Sequence, residues 1–571
     1  MRKKILALYL IAILYLIASI NVLILFFVLS EPERPEEVTL VFGTMYGPVD
    51  LDPQVAWDSA SIDAIDQVCE GLFTYNLSDP EMTIIPNLAL FGIWNPVATE
   101  FTCVLRQGVS FHDGAPFNAD AVIFTWDRMA WALNTTSTNT DGITQVRELY
   151  EFPNGTPIVK DVIKNSDYSV TFVLNGPYIP FEALLCFSAS YILSPLSTPA
   201  NAYIETATGD IVGTGPFVYD NYEVGFNVTF HAFDNYWKGR AQIDKIIFLQ
   251  IIDENARNAA LLSGEIDFLS DPLYSILDVL NNTEGITLEQ GPHYINNQYL
   301  GMNNRLINVS LREAISYAID YDYILNVLRD GNAARLESPV PKGIRYANWT
   351  FDVPVLNLSR ARTVMQSMGF GVGWNVTPDS PDELLWEEAT FLTLNYTENY
   401  NSGFRVEVSV LLRDNLGKIG IVVEDATMTW GEFYGRLVEV GGMHRNMLQL
   451  YWIGGGLSYN DPNNLINDFF TNRSVAYNTA QYNGYLAALE AGRDPMVLND
   501  NVQLLMEAGL SEPNPITREA IYDRIQELLI EHDRPWAFGY VSKRHCAWIS
   551  NLHGYQQNPM GNEYFYPCYF S

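Results

Sequence analysis

Basic residues are scarce in this sequence compared with acidic ones. Its 571 residues include 33 Lys and Arg against 67 Asp and Glu, which gives a formal net charge of −34. This balance argues against a nucleic-acid partner, because neutralising a phosphate backbone requires Lys and Arg. The acidity instead indicates a solvated, soluble surface. With 48% hydrophobic residues, the chain has enough apolar material for two to four domains.

Cysteine is also rare, and no CxxC pair or Cys/His cluster suggests a metal site. The HExxH, GxSxG and Walker A patterns are missing as well. We therefore predict that the protein is not an enzyme and holds no metal and no cofactor. Cys546 and Cys568 could pair near the C-terminus, and the pairing of the others, Cys69, Cys103 and Cys186, is open. An odd count leaves at least one thiol free or intermolecular.

One long hydrophobic run, Ile5–Leu29, follows three basic residues at positions 2–4. At 1.5 Å rise per residue it is long enough to span a hydrocarbon core of about 30 Å. We predict an uncleaved signal anchor over residues 1–30, with cleavage near Ser30 as the alternative. The positive-inside rule then places the acidic linker 31–37 and everything after it outside the cell, on a single-pass membrane protein.

Acceptors for N-linked glycans are frequent, which suits an exported surface glycoprotein. About four residues remain on the cytoplasmic side, so no signalling domain fits there. A tethered external module is the better interpretation. The Asn-x-Ser/Thr acceptors are Asn76, Asn134, Asn154, Asn227, Asn281, Asn308, Asn348, Asn357, Asn375, Asn395 and Asn472.

Helical and strand patterns alternate along the chain, which predicts an α/β protein with mixed sheets. Ser310 and Glu313 fit a capping box at the start of one helix, and Gly264 and Gly369 fit helix ends. The predicted helices are Asp63–Phe73, Asn255–Leu262, Ser310–Ile319, Tyr321–Arg329, Leu358–Met368, Gly403–Leu416 and Ile516–His532. The predicted strands include Val38–Gly47, Asp167–Leu174, a hairpin over Gly213–Phe233, Ile243–Ile252, Phe391–Leu394, Ile419–Glu424 and Pro535–Val541.

The stretch Phe101–Met129 contains an adjacent His112-Asp113 pair, the most enzyme-like spot in the sequence. Phe101–Phe111 is predicted to be a hairpin, and Gly114 suits a turn after the pair. Asn118 is a plausible helix N-cap. Every polar residue here therefore has a local structural role, and we expect a turn rather than a metal or proton-transfer site.

Several stretches, in this order, resemble the extracytoplasmic solute-binding proteins of peptide-type ABC transporters, the dipeptide, oligopeptide and nickel class known as family 5. Each motif is weak alone, but the ordered set is specific, and it covers residue 38 to the C-terminus. The motifs are VDLDP (Val49–Pro53), CEGLFTY (Cys69–Tyr75), PNLA (Pro86–Ala89), Phe101–Trp126, GTGPF (Gly213–Phe217), Asn235–Phe248, LLSGEIDFL (Leu261–Leu269), Val309–Asp320 and YNDPNNLI (Tyr459–Ile466).

The resemblance implies a two-lobed, periplasmic-binding-protein-like fold of class II, in the large type that carries an extra subdomain. Two crossover strands would join the lobes, and ligand would be buried as they close. In that scheme lobe I takes 38–292 and 536–571, with the extra subdomain near 54–193, and lobe II takes 293–535. We expect a monomer.

The resemblance also implies candidate ligand contacts in YWIGGGLSYNDP, Tyr451–Pro462. Trp452, and Trp430 upstream, match tryptophans that line the peptide cleft. Gly454 and Gly455 would let backbone groups approach a ligand closely. The family places an aspartate, which pairs with the ligand's α-ammonium, where this chain has Ser458. A serine cannot neutralise that charge, so Asp461 is the candidate to replace it.

On the other lobe, Trp57 and Ser59 lie where the family has ligand contacts. Asn303 lies near the expected crossover, where it would orient the hinge or touch ligand. The alternative role for each tryptophan is ordinary packing in the core. Stacked together, the three tryptophans would instead form walls suited to sugar rings.

The leading hypothesis is therefore a membrane-tethered binding protein that delivers an oligopeptide to ABC permease subunits. An oligosaccharide ligand is the alternative, because the ammonium anchor is lost at Ser458. An external hydrolase is a further alternative that nothing in the sequence favours.

Overall fold

The computed structural model describes residues 37–571, except 57, 80, 135–142, 207–208, 400–401, 439–446, 473 and 475–476. The anchor predicted over 1–30 and the linker up to residue 36 lie outside the described residues, as does Trp57. Across the described ranges, no helix combines the length and apolar character needed to cross a membrane.

Strands and helices alternate along the whole described chain. The strands are β1 (Thr39–Thr44), β2 (Phe73–Tyr75), β3 (Ile84–Pro86), β4 (Ala89–Trp94), β5 (Glu100–Leu105), β6 (Val159–Ser166), β7 (Ser169–Leu174), β8 (Phe217–Glu223), β9 (Asn227–Ala232), β10 (Lys245–Gln250), β11 (Phe268–Ser270), β12 (Ile286–Met302), β13 (Ala333–Arg335), β14 (Leu392–Asn399), β15 (Ile421–Met428), β16 (Leu450–Gly456), β17 (Trp536–Ile549), β18 (Leu552–His553) and β19 (Tyr569–Phe570).

The helices lie between these strands and on their faces. They are α1 (Ser59–Val68), α2 (Ala119–Leu133), α3 (Ile143–Tyr150), α4 (Phe181–Leu184), α5 (Glu254–Ser263), α6 (Leu277–Asn281), α7 (Val309–Ala318), α8 (Tyr321–Tyr323), α9 (Leu358–Ser367), α10 (Glu383–Glu388), α11 (Gly403–Gly417), α12 (Trp430–Val438), α13 (Pro462–Phe470), α14 (Gly484–Glu490), α15 (Val502–Ser511) and α16 (Pro515–Glu527). Short 3₁₀ turns are Ser188–Ser190, Tyr274–Ile276 and Leu498–Asp500, and π-helical turns are Ile324–Leu328 and Leu528–Asp533.

One mixed sheet runs through the described structure in the order β15-β14-β16-β12-β17-β11-β1-β10-β9-β8, with β13 added beside β17. Pairs such as β1–β10 and β14–β15 are parallel, whereas β12 and β17 are antiparallel to each other. The predicted α/β class with mixed sheets is therefore confirmed. The two long strands β12 and β17 connect the two halves of the sheet, and the predicted lobe boundaries at 292/293 and 535/536 lie within β12 and just before β17.

A second, antiparallel sheet of order β4-β5-β7-β6 lies within the subdomain predicted near 54–193. The predicted hairpin Phe101–Phe111 is wrong, because β5 pairs with β4 and β7 instead. Gly108, at φ +77°, turns the chain away from the sheet after β5. The pairing partners of a strand are determined by packing of the whole sheet and not by the local alternation of residues.

The His112-Asp113 pair forms the predicted turn. Gly114 has φ +85°, and the Asp113 carboxylate accepts a hydrogen bond from the Ala115 amide at 2.9 Å. His112 Nε2 lies 2.9 Å from the carbonyl oxygen of Gly215, and burial lowers the pKa of its ring to about 4. Asn118 caps α2 by accepting from two amides. The structural interpretation of this stretch is confirmed.

Two helix C-termini predicted from glycine are confirmed, whereas one predicted helix start is not. Gly264 and Gly369 adopt φ +76° and +94° at the predicted ends of α5 and α9. The predicted capping box on Ser310 is wrong, because Asn308 is the N-cap and its side chain accepts from the Leu311 amide. An Asn two residues earlier competes successfully for the same orphan N–H groups.

All five cysteines are buried and free in the structure. The candidate disulfide between Cys546 and Cys568 is therefore absent. Cys546 lies on β17 with its Sγ 3.6 Å from the hydroxyl of Tyr555, and burial raises its pKa. It behaves as a small apolar core residue.

Candidate functional site

A cavity of about 680 Å³ lies between the two halves of the large sheet. One wall is built from the end of β1 and the start of α1, and the opposite wall from β16 and the residues after it. The loop before the C-terminal strand forms its floor. The lining residues are Phe42–Tyr46, Ser59, Ala60, Ile62, Asp63, Leu149, Phe187, Glu254, Arg257, Ser270, Asp271, Ile295, Asn296, Tyr299, Ile453–Ser458, Phe469, Tyr477, Thr479 and Met560–Glu563.

Four of the residues singled out from the sequence line this cavity: Ser59, Gly454, Gly455 and Ser458. Ser59 is the first residue of α1, after the N-cap Asp58. The backbone amide of Ser458 donates to Asn464 Oδ1 at 2.6 Å, which fixes the turn after β16. The Ser458 hydroxyl makes no hydrogen bond with any described residue, so it is available to a ligand.

Two of the three glycines of β16, Gly454 and Gly455, are required by protein packing. A Cβ on Gly454 would lie 2.0 Å from Gln298 Nε2, and a Cβ on Gly455 would lie 2.1 Å from Phe469 Cζ. Real Cβ atoms do not approach so closely, so neither position accepts a larger residue without movement of its neighbours. The strand therefore presents backbone to the cavity because its side-chain space is already filled.

Trp452 does not line the cavity. Its side chain is fully buried in the core formed by β12, β14, β15 and β17, where its ring lies 6.0 Å from Tyr540 and 5.7 Å from Phe404. Trp430 begins α12, but its side chain is outside the described set, as is all of Trp57. The arrangement of three tryptophans around a ligand is not found among the described residues.

Asp461 and Asn303 also lie away from the cavity lining. Asp461 accepts from both terminal nitrogens of Arg518 at 2.8 Å each and caps α13 through the Asn463 amide. Its charge is thus neutralised inside the protein. Asn303, which is 1% exposed, donates to the carbonyl oxygen of Leu448 at 2.8 Å and accepts from the Arg305 amide. That contact ties the end of β12 to the segment before β16.

Charged residues that the sequence did not reveal line the cavity. Four are carboxylates, Asp63, Glu254, Asp271 and Glu563, and one is the guanidinium of Arg257. Arg257 is the only Lys or Arg side chain in the lining among the residues the structure describes. Its Nη1 donates to the carbonyl oxygens of Ile251 and Ile252 at 2.7 and 3.0 Å, which holds the side chain in place.

Glu563 connects the floor of the cavity to α1 and β17. Its carboxylate accepts from Ser270, Arg544 and Tyr555, and its amide donates to Asp63 Oδ1 at 2.9 Å. Burial and the nearby Glu563 carboxylate together raise the pKa of Asp63 well above its usual value. No local sequence pattern predicts this cluster, because its residues come from distant parts of the chain.

One turn further along α1, Asp66 accepts from Tyr191 and Asn562 at 2.9 and 3.0 Å. Burial raises the pKa of Asp66 to about 6. Asp63 and Asp66 therefore fasten the floor of the cavity to α1. For metal binding, the described residues offer one group with suitably close ligand atoms, Glu527, Glu531 and His532, which lies outside the cavity lining.

Comparisons with known proteins agree on one family. The model of bacterial extracellular solute-binding proteins, family 5, matches residues 83–477. The dipeptide-binding protein of Escherichia coli is 24% identical over 546 residues, covering 92% of this chain and 94% of that protein. The glutathione-binding protein GsiB of Pectobacterium atrosepticum is 25% identical over 520 residues, covering 89% and 90%.

Solved structures have the same fold. The periplasmic binding protein DppA from Helicobacter pylori, in complex with the peptide STSA, superposes with a TM-score of 0.76 at 21% identity, covering 93% of this chain and 98% of that one. The dipeptide-binding protein from Pseudoalteromonas sp. SM9913, in complex with Met-Leu, has a TM-score of 0.75 at 21% identity, covering 93% and 100%. The two-lobed periplasmic-binding-protein-like fold is thereby confirmed, and the chain belongs to the family 5 extracellular solute-binding proteins of ABC transporters, which are not enzymes.

Proposed function

We propose that this protein captures an oligopeptide in the 680 Å³ cavity and delivers it to the permease of an ABC importer. The observation that carries the proposal is the presence of both charge signs in one cavity. Arg257 offers positive charge to a carboxylate, and Glu254 and Asp271 offer negative charge to an ammonium. A zwitterionic peptide carries both groups, and charge-assisted hydrogen bonds to such ends are strong.

The negative partner in this proposal differs from the one expected from the family pattern. Ser458 lines the cavity but has no charge, and the Asp461 carboxylate is occupied by Arg518. Asp271, directly after β11, and Glu254, at the start of α5, would then replace the missing aspartate. A buried ammonium needs such a partner, since an unpaired buried charge is costly.

The oligosaccharide alternative has less support. It relied on tryptophans that would stack against sugar rings, and Trp452 is packed in the core instead. A neutral sugar also offers no opposite charge to the charged residues of the lining. Five charged side chains around one cavity are expensive to desolvate against a neutral ligand.

We further propose that the run Ile5–Leu29 anchors the protein, with the bulk of the chain extracytoplasmic and monomeric. The hydrophobic length and the basic flank of this run support the proposal. Lobe I would comprise 38–292 and 536–571, including the extra subdomain near 54–193, and lobe II would comprise 293–535.

The test is a thermal-shift and calorimetric screen of a defined tetrapeptide in three forms: free, N-acetylated and C-amidated. Maltotriose serves as the neutral sugar probe. A ligand bound only to the folded state raises the melting temperature with its concentration. We expect the free peptide to bind, and either blocked form to bind at least about tenfold more weakly, because each lost ion pair is worth about 1.5–3 kcal/mol. Stabilisation by maltotriose without stabilisation by peptide would refute the proposal.

A further inference from the structure

The five residues after β16, Leu457–Asp461, form what we term the junction loop. Leu457 and Ser458 line the cavity, whereas Tyr459 and Asn460 do not. The loop begins at the ligand cavity and continues into contacts with a different part of the protein. That part is the small-sheet unit, residues 72–192, which contains the β4-β5-β7-β6 sheet.

Tyr459 and Asn460 make direct hydrogen bonds with the small-sheet unit. The Tyr459 hydroxyl lies 2.9 Å from the Tyr178 hydroxyl. The Asn460 amide donates to the Tyr75 hydroxyl at 2.8 Å, and its side-chain nitrogen donates to the carbonyl oxygen of Glu81 at 2.9 Å. These contacts join β16 of the large sheet to a unit with a separate sheet.

The side chains of Tyr459 and Tyr178 are buried away from solvent. Tyr459 and Tyr178 are 2% and 3% exposed. Burial raises the pKa of both phenols, so both remain protonated and able to donate at neutral pH. A buried hydroxyl without a partner is unfavourable, so the two groups favour the arrangement that keeps them together.

The loop is short and held at both ends. The Ser458 amide donates to Asn464 Oδ1 at 2.6 Å, and Asp461 is held by the two-pronged ion pair with Arg518. A ligand that fixes Ser458 therefore also restrains Tyr459, the next residue. In a five-residue loop held in this way, Ser458 cannot move without moving Tyr459.

Two further hydrogen bonds cross the same boundary. The Ile179 amide donates to the carbonyl oxygen of Leu510 at 2.9 Å, and Ser474 donates to the Glu148 carboxylate at 2.6 Å. One hydrophobic cluster also contains buried residues from both sides, among them Phe181 and Phe469. The boundary is therefore closed in this structure, and it can open only by breaking these contacts.

We propose that the junction loop couples ligand occupancy to closure of the small-sheet unit onto lobe II, and that Tyr459 is a positioning residue for ligand binding although it does not touch the cavity. This inference rests on the proposed function, since it takes the cavity as the ligand site. Because only the closed population binds tightly, loss of the tyrosine contact raises the apparent Kd in inverse proportion to the closed fraction that remains.

The test compares Tyr459→Phe, Tyr178→Phe and the double variant with wild type in the full-length protein. Hydrogen exchange is followed at the amides of Asn460 and Ile179, which donate across the boundary, with and without the tetrapeptide probe. Tyr323→Phe is the matched control, because that side chain is 43% exposed on another helix. Calorimetry gives the Kd, and thermal unfolding gives the melting temperature.

We expect each single variant and the double variant to speed exchange at both amides and to weaken peptide binding by about threefold to tenfold, with Tyr323→Phe unchanged. Tyr459→Phe also removes the bond that the Tyr459 hydroxyl accepts from Asn463 Nδ2 at 3.3 Å. We therefore expect Tyr459→Phe to weaken binding at least as much as Tyr178→Phe, and the double variant to match Tyr459→Phe. A lower melting temperature with unchanged exchange and unchanged Kd would reduce Tyr459 to a structural role and overturn the inference. If no peptide binds the wild type, the proposed function fails and the inference fails with it, whereas peptide binding with unchanged exchange and unchanged Kd in the variants overturns the inference alone.

Discussion

Arg518 holds Asp461 through both ends of its guanidinium group: Nη1 lies 2.8 Å from Oδ2 and Nη2 lies 2.8 Å from Oδ1. Both side chains are largely buried, at 3% and 10% exposure. The carboxylate nearest in sequence to the expected ammonium anchor is therefore part of the protein's own framework. A carboxylate that pairs with a ligand ammonium must therefore come from another residue in the cavity lining.

Arg518→Met should destabilise the protein by about 3–5 kcal/mol, because it leaves the buried Asp461 charge without its partner. Urea unfolding measures the loss. Arg240→Met is the control, since Arg240 pairs with Asp234 on the surface at 40% and 81% exposure, and such pairs are worth about 0–1 kcal/mol. Equal losses from the two variants would contradict the assignment of Asp461 to the framework.

Trp452→Phe should leave peptide affinity within about twofold of wild type. The indole is buried in the core and its Nε1 makes no hydrogen bond with any described residue, so a smaller ring costs packing alone. We expect a stability loss below the about 3–5 kcal/mol that truncation of a buried Trp to Ala brings. Calorimetry with the tetrapeptide checks this, and a tenfold weaker affinity in a folded variant would return Trp452 to the ligand site.

Gly455→Ala should lower stability by about 1–3 kcal/mol, because the added methyl group collides with the ring of Phe469. Gly435→Ala is the matched control: that glycine lies exposed in α12 with nothing near its missing Cβ. There the substitution should stabilise by about 0.5–1 kcal/mol. Chemical denaturation of the two variants compares them, and a neutral Gly455→Ala would mean that Phe469 can move aside.

Asp66→Asn should flatten the pH dependence of stability in the mildly acidic range. The pKa of Asp66 is about 6 in the folded protein and 3.8 for the ordinary group, so the folded state retains a proton that the unfolded chain has lost. Stability therefore falls as pH rises through this window. An amide cannot titrate, yet it still accepts from Tyr191. Urea unfolding at about pH 4, 5, 6 and 7 tests this, and an unchanged slope would rule out Asp66 as its source.

Local features of the fold were predictable from the sequence. The caps and turns at Asn118, Gly264 and Gly369 were found because each depends on residues within one helical turn. Helices α5, α7, α9, α11 and α16 were found because periodicity reports burial of a whole face. The strand Lys245–Gln250 was found from its continuous apolar run, although its residues are buried only alternately. The start of α7 was predicted, but its N-cap residue was not. Asn308 and Ser310 can both act as N-caps, and the backbone decides between them.

The cavity was only partly predictable. Ser59, Gly454, Gly455 and Ser458 were found through the resemblance to a family, whereas the contact between Glu563 and Asp63 joins residues 500 positions apart. Trp452 shows the same limit: a tryptophan shortly before three glycines fits a ligand wall and a core equally well until the facing Tyr540 and Phe404 are known. Partners of this kind are set by tertiary packing, which a local pattern does not record.

The floor of the cavity has a consequence for the order in which the protein is made. Residues on the wall from β1 and α1 are synthesised first, and the hydrogen bond that completes the floor awaits Glu563, 500 residues after Asp63. At about 5–20 residues per second, that interval is on the order of 25–100 seconds. A nascent or partly exported chain therefore has no complete ligand cavity, and binding competence begins only when nearly the whole chain has crossed to the side where it folds.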